Sequence, residues 1–330
     1  MKSWNVILGV DVSKLTLDIC CAERNLYLKI ENQTKGFKVL KKWCKDNEID
    51  LKDTMIVLEH TGGYEYRFMQ FCESSSITYC RIPGLEIKNS MGMTRGKSDR
   101  ADSFRIGQYG EEKIKKLVPS KPIDKNILTL KQLLSFRKRL VREKAGYEST
   151  VKERKHMYHT GKMDTVTHVA QSKIKENKKY IRQIELEIME LVKSSEAMLQ
   201  TYRIITSLKG IGNVNAWMTI AYTENFTSFG DARKYAVYVG VVPFGHGSGT
   251  SIKKRDKVSH LAHKEIKQEL NQAAKTAIIH DPEIRAYATR KLQNKCYPLV
   301  LNNVKFKLIL RMFALVKRGE TFVENYKKAA

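Results

Sequence analysis

The chain is short of acid. Its 330 residues hold 35 Asp and Glu against 60 Lys and Arg, a formal net charge of +25. That excess predicts a polyanionic partner, and nucleic acid before a membrane surface, because the cations run along the whole chain rather than in one polybasic tail. Long apolar runs are missing too. No segment nears the roughly 18 uninterrupted apolar residues of a membrane helix. The stretch Val6–Val12 is too short for a signal peptide and contains Asp11. A cytoplasmic location, with no membrane partner, is the expectation. The six cysteines, Cys20, Cys21, Cys44, Cys72, Cys80 and Cys296, form no CxxC pair and no paired framework, so they read as reduced thiols, several of them in cores. The histidines do not cluster: His260 and His263 share a helix face, with no second ligand pair to make a zinc site. A Walker A pattern is absent. Hydrophobic content of 42% is still enough for real cores, and the length fits two or three domains.

Against this basic background four acids stand out. Asp11 sits at the end of the apolar run Val-Ile-Leu-Gly-Val-Asp, and Glu59 ends a second run, Thr-Met-Ile-Val-Leu-Glu. Asp99 and Asp102 lie three apart at the start of a helical pattern, in Lys-Ser-Asp-Arg-Ala-Asp. Carboxylates at two strand ends and on one helix face can converge. Hard divalent cations, Mg²⁺ or Mn²⁺, choose such oxygen ligands. An acidic metal site in a basic protein is what phosphodiester chemistry on a polyanion needs.

Residues 1–118 alternate strand and helix signals. Strands are expected at Val6–Val12, around Leu15, Leu17 and Ile19 with one buried face, around Leu26, Leu28 and Ile30, at 55–59 and at 77–82. Helices are expected at 36–46, 64–72 and 99–117. The order β-β-β-α-β-α-β-α is that of an RNase-H-like domain, a mixed sheet with helices on its faces. In that fold, acids on the first strand, the fourth strand and the last helix meet at one edge.

Pro119 and Pro122 punctuate a boundary, and no proline follows until Pro243. Residues 119–200 read as two helices. Ile127, Leu130, Leu134 and Val141 mark one face of the first. The second follows a polar break near 160–164 and carries a heptad pattern through Ile174, Ile181, Ile184, Ile188, Leu191 and Met198, with Asn177 and Ser195 at weak seam positions. About 35 residues at 1.5 Å each predict a rod of roughly 50 Å. It could pair within the chain or with another subunit. Residues 201–330 form a mainly helical last domain. Leu208-Lys-Gly-Ile-Gly212 reads as a helix-hairpin-helix turn whose glycines would let backbone N–H groups approach a phosphate, or simply as a turn joining helices. Candidate nucleic-acid contacts are Arg95, Lys97, Arg137, Lys138, Arg139, Lys209, Gly210, Gly212, Lys253, Lys254 and Arg255.

A second chemical site is expected in the small-residue loop Phe244-Gly-His-Gly-Ser-Gly-Thr-Ser251. Ser248 lies between two glycines and just before the basic run Lys253-Lys254-Arg255. It reads either as part of a phosphate-binding loop or as a nucleophile whose neighbouring cations offset charge developing on phosphorus. Ser251 is the rival hydroxyl. His246 is close in sequence, but no triad spacing supports it as a base.

In combination these motifs resemble the DEDD transposases of the insertion-sequence-one-ten family. The resemblance rests on Gly9-Val-Asp11-Val-Ser-Lys14, Leu58-Glu59-His-Thr-Gly-Gly63, Lys97-Ser-Asp99-Arg-Ala-Asp102, Leu208-Lys-Gly-Ile-Gly212, Gly240-Val-Val-Pro243 and Ser248-Gly249. It implies a RuvC-like domain (1–118), a coiled-coil domain (119–200) and a transposase domain (201–330). Asp11, Glu59, Asp99 and Asp102 would be the metal-binding acids, with Mg²⁺ as cofactor, and Ser248 the nucleophile of a phosphoserine intermediate. The implied partners are double-stranded donor and target DNA, a structured noncoding guide RNA (the bridge RNA), and further copies of the chain in a dimer or tetramer. The family usually has alanine after the last acid, where this chain has Ser103. Two other readings stand beside it: a RuvC-like nuclease that hydrolyses DNA with no covalent step, and a scaffold that only binds nucleic acid.

Overall fold

The apolar runs near the N-terminus pair into one sheet. The computed structural model describes residues 4–90, 92, 98–158, 164–248 and 252–324. In it, β1 (Val6–Val12), β2 (Thr16–Cys21), β3 (Leu26–Glu31), β4 (Thr54–Glu59) and β5 (Thr78–Ile82) form a mixed five-stranded sheet in the order β3-β2-β1-β4-β5. The β1–β2 and β2–β3 pairs are antiparallel and joined by short turns. The β1–β4 and β4–β5 pairs are parallel and need crossovers, which α1 (Thr34–Asp46) and α2 (Tyr66–Ser74) supply. Those two helices meet through Phe37, whose ring lies 5.7 Å from Phe68 and 4.8 Å from Phe71. The arrangement is consistent with the RNase-H-like domain expected from the sequence. One element was not anticipated, the short helix α3 (Gly84–Ser90), which follows β5 directly.

The closing helix α4 (Asp99–Lys113) lies on the sheet face that carries Ile7, Met55 and Val57, and packs Ile106 and Tyr109 against them. It does so at very short range. A Cβ added to Gly9 would stand 2.2 Å from the Gly107 nitrogen and 2.4 Å from the Ser103 carbonyl oxygen, and one on Gly110 would stand 2.7 Å from Ile7. Ser103 itself is fully buried at this contact, and its carbonyl accepts a hydrogen bond from the Cys20 thiol at 2.9 Å. Small residues at 103, 107 and 110 thus form a flat stripe on the helix. Ser103 fits that stripe as alanine would.

The expectation of one buried face on β2 is corrected. Leu15 is 73% exposed, whereas every residue from Leu17 to Cys21 is buried. β2 lies inside the sheet, between β3 and β1, and α4 also packs on it. Both of its faces are therefore covered, and the polar position of the alternation, Asp18, is 1% exposed.

Residues 123–330 form a second compact unit, distinct from residues 1–122. Its helices are α5 (Lys125–Tyr158), α6 (Thr165–Lys193), α7 (Glu196–Thr206), α8 (Asn213–Thr223), α9 (Ala232–Val239), α10 (Lys264–His280), α11 (Pro282–Leu292) and α12 (Tyr297–Arg318). α5 and α6 pack along one another within the chain. The predicted second rod is shorter than expected. It stops at Lys193, because Ser195 leaves the helical conformation and its hydroxyl caps α7 by accepting from the Met198 N–H at 3.5 Å. One core joins Ile127, Leu130 and Leu134 of α5 and Ile188 of α6 to Trp217, Tyr235, Leu270 and Leu308. Among the described residues, no helix is long and apolar enough to cross a membrane.

Gly9→Ala tests the close helix–sheet contact. The new methyl meets backbone atoms of α4 rather than a movable side chain, so the cost should reach the upper end of overpacking, about 3 kcal/mol. Thermal denaturation should show a clear drop in Tm. Gly146→Ala, where nothing lies near the added carbon, should show none.

Candidate functional site

The sheet places the first two acids side by side. β1 and β4 are parallel with Val10 opposite Leu58, so Asp11 and Glu59, the next residue of each strand, reach the same end of the sheet. Side chains alternate along a strand, which puts Asp11 on the face of Ile7 and Gly9, and Glu59 on the face of Met55 and Val57. That is the face α4 covers. Along α4, Ser103 and Gly107 lie against Gly9, and Gly110 against Ile7. The helix therefore runs antiparallel to β1 and its first turn, with Asp99 and Asp102, lies at the Asp11 end. The Ser98 hydroxyl caps that turn by accepting from the Ala101 N–H at 3.2 Å, and carboxylates are favoured at a helix N-terminus.

The other three predicted acids all act on Asp11. Burial, then the charges of Asp102, Asp99, Glu59 and Asp18, push the Asp11 carboxyl up from 3.8 to about 6. Glu59 lies against the start of α3: a Cβ on Gly84 would fall 1.8 Å from its Oε1. Asp102 accepts from the Arg105 guanidinium at 2.6 Å, and Asp99 lies 3.8 Å from the Lys29 ammonium. The donors are carboxylate oxygens, the ligand type Mg²⁺ takes, and an accumulation of negative charge of this kind is what a divalent cation relieves. As the side chains stand, no three His, Cys, Asp or Glu groups among the described residues are close enough to hold an ion.

Several residues around the acids were missed by the sequence reading. Asp18 pairs directly with Asp11 across β1–β2 and with Lys29 across β2–β3, giving a row of three charged residues over three neighbouring strands. Its carboxylate takes a short hydrogen bond from the Tyr27 hydroxyl and an ion pair from Lys29 at 3.4 Å. The Arg100 guanidinium lies over the Tyr27 ring, 4.9 Å from its centroid. Strand alternation alone assigns Asp18 to an open face. Only the knowledge that β2 is internal would have revealed it. Glu65, 1% exposed, organises the loop after Glu59: it accepts from Thr61 Oγ1 and from the Gly63 N–H, both at 2.7 Å, and lies 3.7 Å from His60 and from Arg81. Gly62 and Gly63 take φ of 76° and 129°, which suits glycine alone at this turn.

In the second unit, the expected loop around Ser248 is a two-stranded antiparallel hairpin, β6 (Phe244–Ser248) and β7 (Ile252–Lys257). Ser248 is the last residue of its strand and pairs with Ile252; Gly247 pairs with Lys253 and His246 with Lys254. The basic run lies within β7. Ser251 falls outside the described residues, as do Arg95 and Lys97. Three candidate cations of α5 are engaged within the chain: Arg137 with Glu185 at 2.7 Å, Lys138 with Glu265, and Arg139 with Glu143 at 3.3 Å. Lys209 pairs with Glu324. In the turn between α7 and α8, Gly210 has φ 96° and packs against α10, where a Cβ would stand 2.5 Å from the Ala273 carbonyl oxygen. Gly212 is exposed, with nothing near the position of a Cβ. Packing accounts for the first glycine; the second leaves backbone open at the start of α8.

A mixed sheet with carboxylates at its strand ends and on the first turn of α4 is consistent with an RNase-H-like α/β domain. A family model described as a DEDD transposase of the IS110 kind matches residues 8–153, and one described as transposase IS116/IS110/IS902 family matches residues 202–289. The chain belongs to the IS110 transposase family. It is also similar over nearly its whole length to the pilin gene-inverting proteins of Moraxella lacunata and Moraxella bovis. Each is 23% identical over 327 residues, covering 96% of this chain and 97% of the relative.

The raised Asp11 carboxyl gives a prediction with a definite sign. Its folded-state value of about 6 lies above the ordinary 3.8, so between those values the folded protein holds the extra proton and stability falls as pH rises. Without divalent metal, Asp11→Asn should melt at a higher temperature than the wild type at pH 7.5. The gap should close as pH is lowered to about 4, where both side chains are uncharged in the folded state. A gap that does not change with pH would mean that Asp11 does not sit in the field of the other acids.

Proposed function

We propose that this chain is an RNA-guided DNA recombinase that exchanges strands through a phosphoserine intermediate. The acids of residues 1–118, a RuvC-like domain in this reading, would handle the scissile phosphate. Residues 119–200 would serve as a coiled-coil domain and residues 201–330 as the transposase domain that carries the nucleophile. The observation that carries the reading is the gathering of Asp11, Glu59, Asp99 and Asp102 around one end of the sheet, where burial and then the charges of the other three push the Asp11 carboxyl up to about 6. These four side chains would hold Mg²⁺, or Mn²⁺ in its place. Bound there, the ion would supply charge neutralisation on the phosphate.

The Ser248 hydroxyl would attack phosphorus. A bond from serine oxygen to phosphorus forms, the bond from phosphorus to the leaving sugar oxygen breaks, and that oxygen takes up a proton. The phosphodiester energy is kept in the serine ester, so a hydroxyl of the other strand can attack it and release the serine. Lys253, Lys254 and Arg255, which follow Ser248 on the paired strand, would offset charge on the five-coordinate phosphorus. Exchange is favoured over hydrolysis by the relatives, whose name states that they invert a gene. An inversion needs every cut strand rejoined.

The net charge of +25 suits a protein holding DNA and a structured RNA at once. Base pairing by the bridge RNA would choose donor and target sequence, while the protein holds backbone. Arg95, Lys97, Arg137, Lys138, Arg139, Lys209 and the open turn at Gly212 would contribute to that hold. The assembly in this reading is a homo-oligomer, a dimer or tetramer.

The test is a denaturing gel of the protein incubated with guide RNA, labelled donor and target DNA, and Mg²⁺. The wild type should give a covalent protein–DNA adduct and recombinant product. Ser248→Ala should give neither while still binding RNA, and Asp11→Asn should lose metal-dependent strand cleavage. An adduct that persists in Ser248→Ala would sink the serine assignment. Cleavage by the wild type with no adduct would favour the hydrolytic reading.

A further inference from the structure

The acids at the sheet edge do not stand unopposed. Lys29 reaches from β3 across the top of Asp18, with its ammonium 3.4 Å from Asp18 Oδ2 and 3.8 Å from Asp99 Oδ2. Its two partners differ in kind. The Asp18 carboxylate is 2% exposed, fixed by the Tyr27 hydroxyl, and lies in register beside Asp11. The Asp99 carboxylate is 62% exposed on the first turn of α4. A buried carboxylate with a bonded hydroxyl is a rigid anchor, whereas an exposed one is free to turn. The longer, exposed half of the bridge is the half that can open. A second cation does the same for the fourth acid, since Arg105 holds Asp102 from the same helix at 2.6 Å.

We propose that Lys29 is a resident counter-cation of the acid site. Anchored on Asp18, its ammonium offsets the clustered charge and holds Asp99, and it yields Asp99 when a divalent cation binds. This rests on the proposed metal role of the four acids. It explains why the acids surround Asp11 yet do not close into an ion-holding group: the outer two are drawn to Lys29 and Arg105. It also assigns a task to Asp18, which is to keep the ammonium beside the site rather than to take the metal itself. Tyr27 and Lys29, two residues apart on one strand, both serve that carboxylate.

The sign of the effect separates this role from a structural one. An ammonium within several ångströms of a divalent ion repels it even at the dielectric of water, enough to weaken binding about tenfold. A structural strut, once removed, would loosen the site and weaken metal binding instead. The experiment is a Mn²⁺ titration of the full-length protein, followed by the electron paramagnetic resonance of the free ion, on wild type, Lys29→Met, Lys29→Arg and Asp11→Asn. Lys29→Met should bind Mn²⁺ about tenfold more tightly than wild type. Lys29→Arg, which keeps the charge, should stay near wild type. Thermal melts should agree: Lys29→Met should melt lower than wild type without metal and gain more from added Mg²⁺. Half of the Lys29 side chain is exposed, so the fold should tolerate the change; Lys29→Gln repeats the test with a polar side chain. Equal or weaker Mn²⁺ binding in both neutral variants would overturn the counter-cation. If Asp11→Asn binds Mn²⁺ as the wild type does, the metal site itself is wrong and the counter-cation falls with it. Loss in Asp11→Asn with no gain in Lys29→Met would overturn the counter-cation alone.

Discussion

The absence of side chains between α4 and β1 is the constraint on which the acid site depends. Gly9 and Gly107 bring helix and strand backbones into direct contact, and Ser103 and Gly110 keep the rest of that helix face flat. A helix seated so close carries its first turn down to the level of the strand ends. Asp99 and Asp102 come within electrostatic reach of Asp11 there. A larger residue at 9 would meet the backbone of α4 directly. The small residues that look like featureless helix positions in the sequence are thus what make the acidic motif into a site.

Bringing carboxylates together raises a second problem, which the chain meets by degrees. Asp11 is half-buried, and burial first and the neighbouring charges second raise its affinity for its proton. Asp102 and Asp99 are relieved by Arg105 and Lys29, and by their place on the first turn of a helix. Asp18 is relieved most fully, by a hydroxyl and an ammonium in a covered position. Local cations therefore attend Asp18, Asp99 and Asp102.

Much of the acid-bearing unit could be read from its sequence. The strand order follows from apolar runs and short turns, and the four acids fall on the elements where a converging set belongs. What escaped was set by neighbours rather than by local pattern. Asp18 reads as the polar half of an alternation, and it is buried because β2 lies between two strands and under a helix. The strand at Ser248 escaped for a related reason: glycine-rich segments pair weakly in any sequence scale, yet Phe244–Ser248 pairs with a charged partner strand. Ser195 reads as a weak heptad position and is instead a helix cap. Each miss is a case where tertiary packing decided a residue that the local sequence left open.

The two chemical motifs differ in how they are supported, and that bears on what each can do. The acids are built into a sheet with its own core, so their relative places follow from backbone register and helix seating. Ser248 ends a strand of a two-stranded hairpin, and its backbone bonds are to β7 rather than to a larger sheet. A two-stranded ribbon alone is marginally stable in water, so Ser248 has less backbone support than the acids. In the proposed mechanism Ser248 would engage a phosphate, form an ester and then release it to a second strand, and a mounting on a two-stranded ribbon would suit that task. The acid site needs preformed geometry because it concentrates charge, whereas the proposed serine would need only to be carried to the phosphate by the hairpin that holds it.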